Sequence, residues 1–202
     1  MKILPASICG AAALAIAFTA QAGDDRAKAV AMMKRDFHAR GIAQMDRLNE
    51  DGVQALCNRS HNNPPKANAE PLLRDQLQAI KYPADGSYLG DWKSGEKIAQ
   101  NGRGMTWSDK AGQANGGSCY NCHEIGPNET SFGTIGNSLR QFGKTRGNSP
   151  EMQKYVYGKI YNAKAFNLCS NMPRFGHSGT LTEKQIKDLV ALLLDPNSPV
   201  NK

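Results

Sequence analysis

Three features of the 202-residue chain predict an all-α fold: helix-spaced apolar residues in its N-terminal third, a Cys-Tyr-Asn-Cys-His run, and an amphipathic helix near its end. The other elements are arranged around the second of these, Cys119-Tyr120-Asn121-Cys122-His123. In such a run two thiols can add to the two vinyl groups of one haem while the adjacent imidazole reaches its iron. A zinc site would need a second ligand pair at close spacing, whereas Cys57 and Cys169 stand alone and far apart. A thioredoxin-like redox pair would sit at a strand-to-helix junction, yet Gly116-Gly117-Ser118 precedes this motif and no β-branched run lies nearby. The expectation is one covalently bound haem c, attached through Cys119 and Cys122, with His123 as an axial iron ligand.

The chain opens with Met1-Lys2, an apolar run from Ile8 to Phe18 too short to span a bilayer, and the small-x-small site Ala20-Gln21-Ala22. A signal peptide over residues 1–22, cleaved after Ala22, would leave 180 of the 202 residues in the periplasm. Cys9 departs with that leader. Ile8 is a poor residue to precede a lipidated cysteine, so no membrane anchor is expected. The formal charge is +7, or +6 once Lys2 is removed. A moderately basic surface suits an acidic partner or small anions. Scattered lysines and arginines, without interleaved aromatics, disfavour nucleic acid.

Residues 23–90 read as a helical extension. Asp24 to Leu56 is helical with a break at Gly41, Cys57 closes that segment, and Asn62-Asn63-Pro64-Pro65 is a turn. Pro71 suits the first turn of a helix whose Leu73, Leu77 and Ile80 fall on one face, before Tyr82-Pro83-Ala84-Asp85-Gly86 breaks the chain. An extension this short is expected to pack on the domain that follows. Residues 91–202 read as the haem domain. Ser94 is the expected N-cap of a helix through Gln100, in which Gly95 and Ala99 allow close approach of another helix. Gly102 to Ser118 is a Gly-rich loop carrying Met105 and Trp107, the latter either folded over the haem or facing a partner. A helix over Glu151 to Ile160 follows. Thr182 and Gln185 then form a capping box, Leu181 and Ile186 a hydrophobic staple, and Ile186, Leu189, Val190 and Leu193 a stripe that Asp195-Pro196 ends.

A thioether opposite His123 would favour ferrous iron and raise its potential. Among Met105, Met152 and Met172 the choice falls on Met172, because Pro173 stiffens the irregular chain around it. Met152 lies in a helix, as core, and His177 is the nitrogen alternative. With Cys119 and Cys122 committed, Cys57 and Cys169 remain. In an oxidising compartment they form a disulfide; two buried free thiols and a Cys169 thiolate on the iron are the alternatives.

Three stretches resemble the X-subunit family of the sulfur-oxidation cytochrome complex SoxAX, relatives of class I cytochrome c. They are Tyr82-Pro83-Ala84-Asp85-Gly86 with Leu89-Gly90-Asp91-Trp92-Lys93, the haem motif, and Tyr155-Val156-Tyr157-Gly158-Lys159-Ile160-Tyr161-Asn162-Ala163-Lys164-Ala165-Phe166 running through Cys169, Met172-Pro173-Arg174-Phe175-Gly176 and the last helix. The family's Gly-Pro-x-Leu appears here as Gly136-Asn137-Ser138-Leu139, less rigid beneath the histidine but still able to offer a carbonyl to its Nδ1 proton. The resemblance implies a class I cytochrome c haem domain and an electron-accepting subunit of a heterodimeric L-cysteine S-thiosulfotransferase. Its implied partners are a haem-bearing A subunit, a sulfur-carrier protein and a soluble cytochrome c acceptor. A freestanding electron shuttle and a peroxidase-like haem enzyme are the competing classes.

Overall fold

The computed structural model describes the backbone from Gln21 to Lys202 and side chains from Asp25 onward. The leader expected over residues 1–22, except for the backbone of its last two, lies outside the described residues. Seven helices follow: α1 (Gln21–Asp36), α2 (Gly52–Arg59), α3 (Lys66–Gln78), α4 (Trp92–Gln100), α5 (Phe142–Arg146), α6 (Pro150–Tyr161) and α7 (Glu183–Leu194). The described residues form no strand beyond an isolated bridge between Arg40 and Ala43, so the chain is all-α over that range.

The core gathers on α7. Thr182 accepts the Gln185 N–H while the Gln185 side chain accepts from Thr182, the expected capping box, and Leu181 and Ile186 are both buried beside it. α4 crosses α7 at backbone distance: a Cβ added to Gly95 would lie 2.2 Å from the Asp188 carbonyl oxygen, and Ala99 is fully buried. Asp188 is a buried carboxylate inside the apolar stripe. Its Oδ1 accepts the Asp91 N–H at 2.9 Å and its Oδ2 the Lys184 ammonium at 2.8 Å, which satisfies the charge that burial would otherwise penalise. The cap of α4 is Asp91, not Ser94, because the Asp91 carboxylate reaches the Lys93 and Ser94 N–H groups at 3.1 Å.

The extension differs from expectation in three places. The first helix ends at Asp36, five residues before the expected break at Gly41 (φ +53), and the second begins only at Gly52 and runs past Cys57 to Arg59. Pro71 is the sixth residue of α3 rather than a first-turn residue. The helix starts earlier because Pro65 offers its carbonyl to the Asn68 and Ala69 N–H groups at 3.0 Å, and Pro71 leaves the Ala67 carbonyl without its usual donor. Leu77 is 48% exposed, while Ile80 is buried and Leu72 and Leu73 pack on Val53, Cys57 and Leu168. Along α1 every described side chain is exposed.

The expected disulfide joins Cys57 to Cys169, with Cα atoms 5.5 Å apart across 112 residues of sequence. It removes the free-thiol and iron-thiolate alternatives. A buried Asn162, whose Nδ2 reaches the Gln76 carbonyl at 3.1 Å, and Tyr157, whose hydroxyl reaches the Lys81 carbonyl at 3.2 Å, add further ties to the extension. Tyr157 is fully enclosed by Tyr82, Tyr88 and Tyr161, with ring centroids 5.6 to 6.1 Å away.

Two outcomes are expected. Gly95→Ala drives a methyl into the Asp188 backbone and should cost about 1–3 kcal/mol; an unchanged Tm would show that the helices are not held this close. Non-reducing peptide mapping should recover the Cys57 and Cys169 peptides joined, and Cys169→Ser should cost up to about 4–5 kcal/mol in the chain-entropy model. Recovery of both thiols in alkylated form would refute the crosslink.

Candidate functional site

The Cys-x-x-Cys-His run is a single tight turn. Ser118 enters it at φ +50, Cys119–Asn121 makes a 3-10 turn, and the Cys119 carbonyl accepts the N–H of Cys122 at 3.1 Å and of His123 at 2.9 Å. The end of α4 anchors the entry, since Ile98 and Asn101 carbonyls accept from Gly117 and Ser118 at 2.8 and 3.0 Å. Tyr120 is buried beneath it, donating to Glu96 at 2.9 Å and accepting from Gly126 at 3.0 Å. Burial and that acidic partner push the phenol upward from its ordinary pKa.

Residues 133–139 run alongside the motif. Gly133 donates to the Tyr120 carbonyl at 2.8 Å, Gly136 to the Cys122 carbonyl at 2.8 Å and Leu139 to the Glu124 carbonyl at 2.7 Å. Gly136 is pressed against the imidazole; a Cβ there would sit 2.2 Å from His123 Cε1. The Asn137 carbonyl oxygen lies 2.7 Å from His123 Nδ1. A carbonyl can only accept, so this contact assigns the proton to Nδ1 and leaves the Nε2 lone pair free.

Cys119, His123, Met152 and Met172 all open on one cavity of about 620 Å³. Its walls are largely apolar, with Ile125, Leu139, Phe142, Val156, Ile160, Phe175, Leu189, Leu192 and Leu193 among them, and Arg140, Arg146 and Lys159 add positive charge. Cys119 and Cys122 are not disulfide-bonded to each other. Burial pushes the Cys119 thiol up to about 12, the reverse of the depressed value that a redox-active Cys-x-x-Cys thiolate requires. Among the described residues no three His, Cys, Asp or Glu side chains converge in a way that could hold a metal ion by themselves.

Of the residues expected as a possible second ligand, Met172 and Met152 line the cavity and Met105 and His177 do not. Met172 is half-buried on the cavity wall, its N–H donating to Ser170 Oγ at 3.2 Å. Met152 shares that wall from α6, so it is more than core filling. Met105 sits at φ +63 with its carbonyl bound by Arg47, away from the cavity, and His177 is exposed. Trp107 is not on the cavity wall. It is 48% exposed and stacked under the Arg40 guanidinium, 3.2 Å from the ring centroid.

Sequence reasoning missed Asp188, which holds the start of α4, and Glu96, which holds Tyr120. A lone carboxylate inside the α7 stripe, four residues from Lys184, was the available signal for the first; nothing local marks the second.

No family model matches the chain. A relative named as an uncharacterized lipoprotein of Aquifex aeolicus (strain VF5) is 37% identical over 155 residues, 76% of this chain and 73% of that protein. Identity at that level across most of both chains means that this chain belongs to the same family as the Aquifex aeolicus lipoprotein.

Proposed function

We propose that the chain is a monohaem c-type cytochrome that acts as the electron-accepting X subunit of a sulfur-oxidation complex, with residues 91–202 as its class I cytochrome c haem domain. The observation that supports a haem site is the convergence of Cys119, His123 and Met172 on one apolar cavity, with the free imidazole nitrogen set by the Asn137 carbonyl; the X-subunit role rests on the resemblance of the Tyr82–Lys93 and Tyr155–Gly176 stretches. About 620 Å³ is within the range of cofactor pockets, and too few protein ligands converge there for a bare ion, whereas a porphyrin brings four nitrogens of its own. The relative's name, a lipoprotein, supports export.

A bound haem would supply a one-electron ferric/ferrous couple. The chain's own residues define how it is held. Cys119 and Cys122 would attach it, and His123, oriented by Asn137 and wedged by Gly136, would present Nε2 to the metal. Met172, on the wall of the same cavity, would be the second protein ligand, and a thioether ligand favours the reduced state. Held by both His123 and Met172, such a group would suit electron transfer rather than substrate binding. The chain would therefore accept electrons while a haem-bearing A subunit joins thiosulfate oxidatively to a carrier-protein cysteine, and would pass them to a soluble cytochrome c. The moderately basic surface would speed encounter with an acidic partner in low salt.

Intact mass of the protein purified from its native source should equal residues 23–202 plus one haem. A mass without haem sinks the proposal. Met172→Ala should abolish the weak far-red absorption of methionine-ligated ferric haem and lower the potential; if the band survives, Met152 is the next candidate, because it opens on the same cavity. The isolated chain should not conjugate thiosulfate to a carrier cysteine. Its haem should turn ferrous on thiosulfate addition only when the A subunit and carrier are both present, and unaided conjugation would overturn the electron-acceptor role.

A further inference from the structure

The segment that carries Met172 forms no helix between Asn167 and Phe175, yet it is gripped from outside at two points. Three residues before Met172, Cys169 is bonded to Cys57 of α2. Two residues after it, the Arg174 guanidinium is ion-paired with Asp51. Asp51 is also the N-cap of α2, its Oδ1 accepting the Gln54 N–H at 2.8 Å while Oδ2 takes Arg174, so one carboxylate fixes both the helix start and the loop. From α3, Gln76 Oε1 accepts Arg174 Nη1 at 3.4 Å. From the short turn before the segment, the buried Lys164 ammonium donates to the Leu168 and Ser170 carbonyls at 3.3 and 3.1 Å. α2 closes the arrangement by packing Val53 and Cys57 against Leu168 in an apolar cluster separate from the main core.

A flexible segment held at only one end would spread its sulfur over many positions, and each clamp removes part of that freedom. We propose that α2 is a brace for the axial methionine: Asp51 and Cys57 are positioning residues that hold Met172 on the cavity wall, and the extension thereby decides whether the iron is six-coordinate. This inference rests on the haem and Met172 assignments of the preceding section. Neither residue lines the cavity that holds Met172 and His123, although Cys57 and Met172 share a second pocket on the outer side of the segment; Asp51 acts through Arg174, and Cys57 through Cys169 and Leu168.

The test uses full-length holoprotein matured in an oxidising compartment, as wild type, Asp51→Asn, Asp51→Glu, and Cys57→Ser with Cys169→Ser. Asparagine caps a helix as well as aspartate, so Asp51→Asn removes the ion pair and spares the cap. Asp51→Asn and the double serine variant should weaken the far-red ferric band and raise the carbon-monoxide-reactive fraction of ferrous protein about tenfold each. Asp51→Glu, which keeps the charge, should recover the band. Loss of fold alone would not separate Asp51→Asn from Asp51→Glu in this way. If the serine variant does not fold, wild-type holoprotein with its disulfide reduced and alkylated takes its place in the carbon monoxide measurement. A wild type that lacks the band and binds carbon monoxide freely removes the Met172 assignment, and the brace with it. A wild type with the band, matched in both readouts by Asp51→Asn and by the disulfide-free protein, overturns the brace and leaves the haem assignment standing.

Discussion

The rest of the structure depends on the approach of α4 to α7 at Gly95. Because no side chain separates them, the helices meet at backbone distance and Asp188 can receive the Asp91 N–H at the start of α4. Against α7, that contact fixes the start of α4. Its last carbonyls, from Ile98 and Asn101, catch the chain entering the Cys-x-x-Cys-His turn. Meanwhile Leu189, Leu192 and Leu193 of the same α7 line the cavity. One helix therefore serves as crossing partner and as cavity wall, and a shift at the crossing would displace both.

What was legible in the sequence was mostly local. The Thr182 capping box and the Leu181–Ile186 staple depend on residues within a few positions of one another, and both are present. The α4 cap was misassigned to Ser94 because both residues are good caps and only the carboxylate of Asp91 reaches two free N–H groups. Pro71 was placed at a helix start because its intrinsic preference is for that position; the pairing of Asn162 with Gln76 near the other end of α3 is invisible locally. Leu77 fits the helix period and still faces solvent, since periodicity gives a face but not whether anything covers it.

The candidate site divides in the same way. Spacing alone marked Cys119, Cys122 and His123, and a stiff, irregular loop marked Met172. Which face of α6 Met152 presents, and where Trp107 lies relative to the cavity, depend on tertiary placement. The carbonyl expected for His123 Nδ1 is supplied by Asn137 even though the proline of the related pattern is absent. Backbone hydrogen bonds from Gly133, Gly136 and Leu139 to the motif do the stiffening that a ring would otherwise provide.

The crosslink between Cys57 and Cys169 encloses everything from α3 through α6 in a covalent ring. The Gly-rich stretch between α4 and the Cys-x-x-Cys-His turn, with exposed residues from Thr106 to Ala114 except the half-buried Asp109, lies inside that ring. A protease that cut there would leave the chain in one piece until a reductant was added. The nicked molecule would nonetheless have lost the peptide continuity between α4 and the cysteines that it positions, so resistance to fragmentation and retention of an intact cavity are separate properties of this fold.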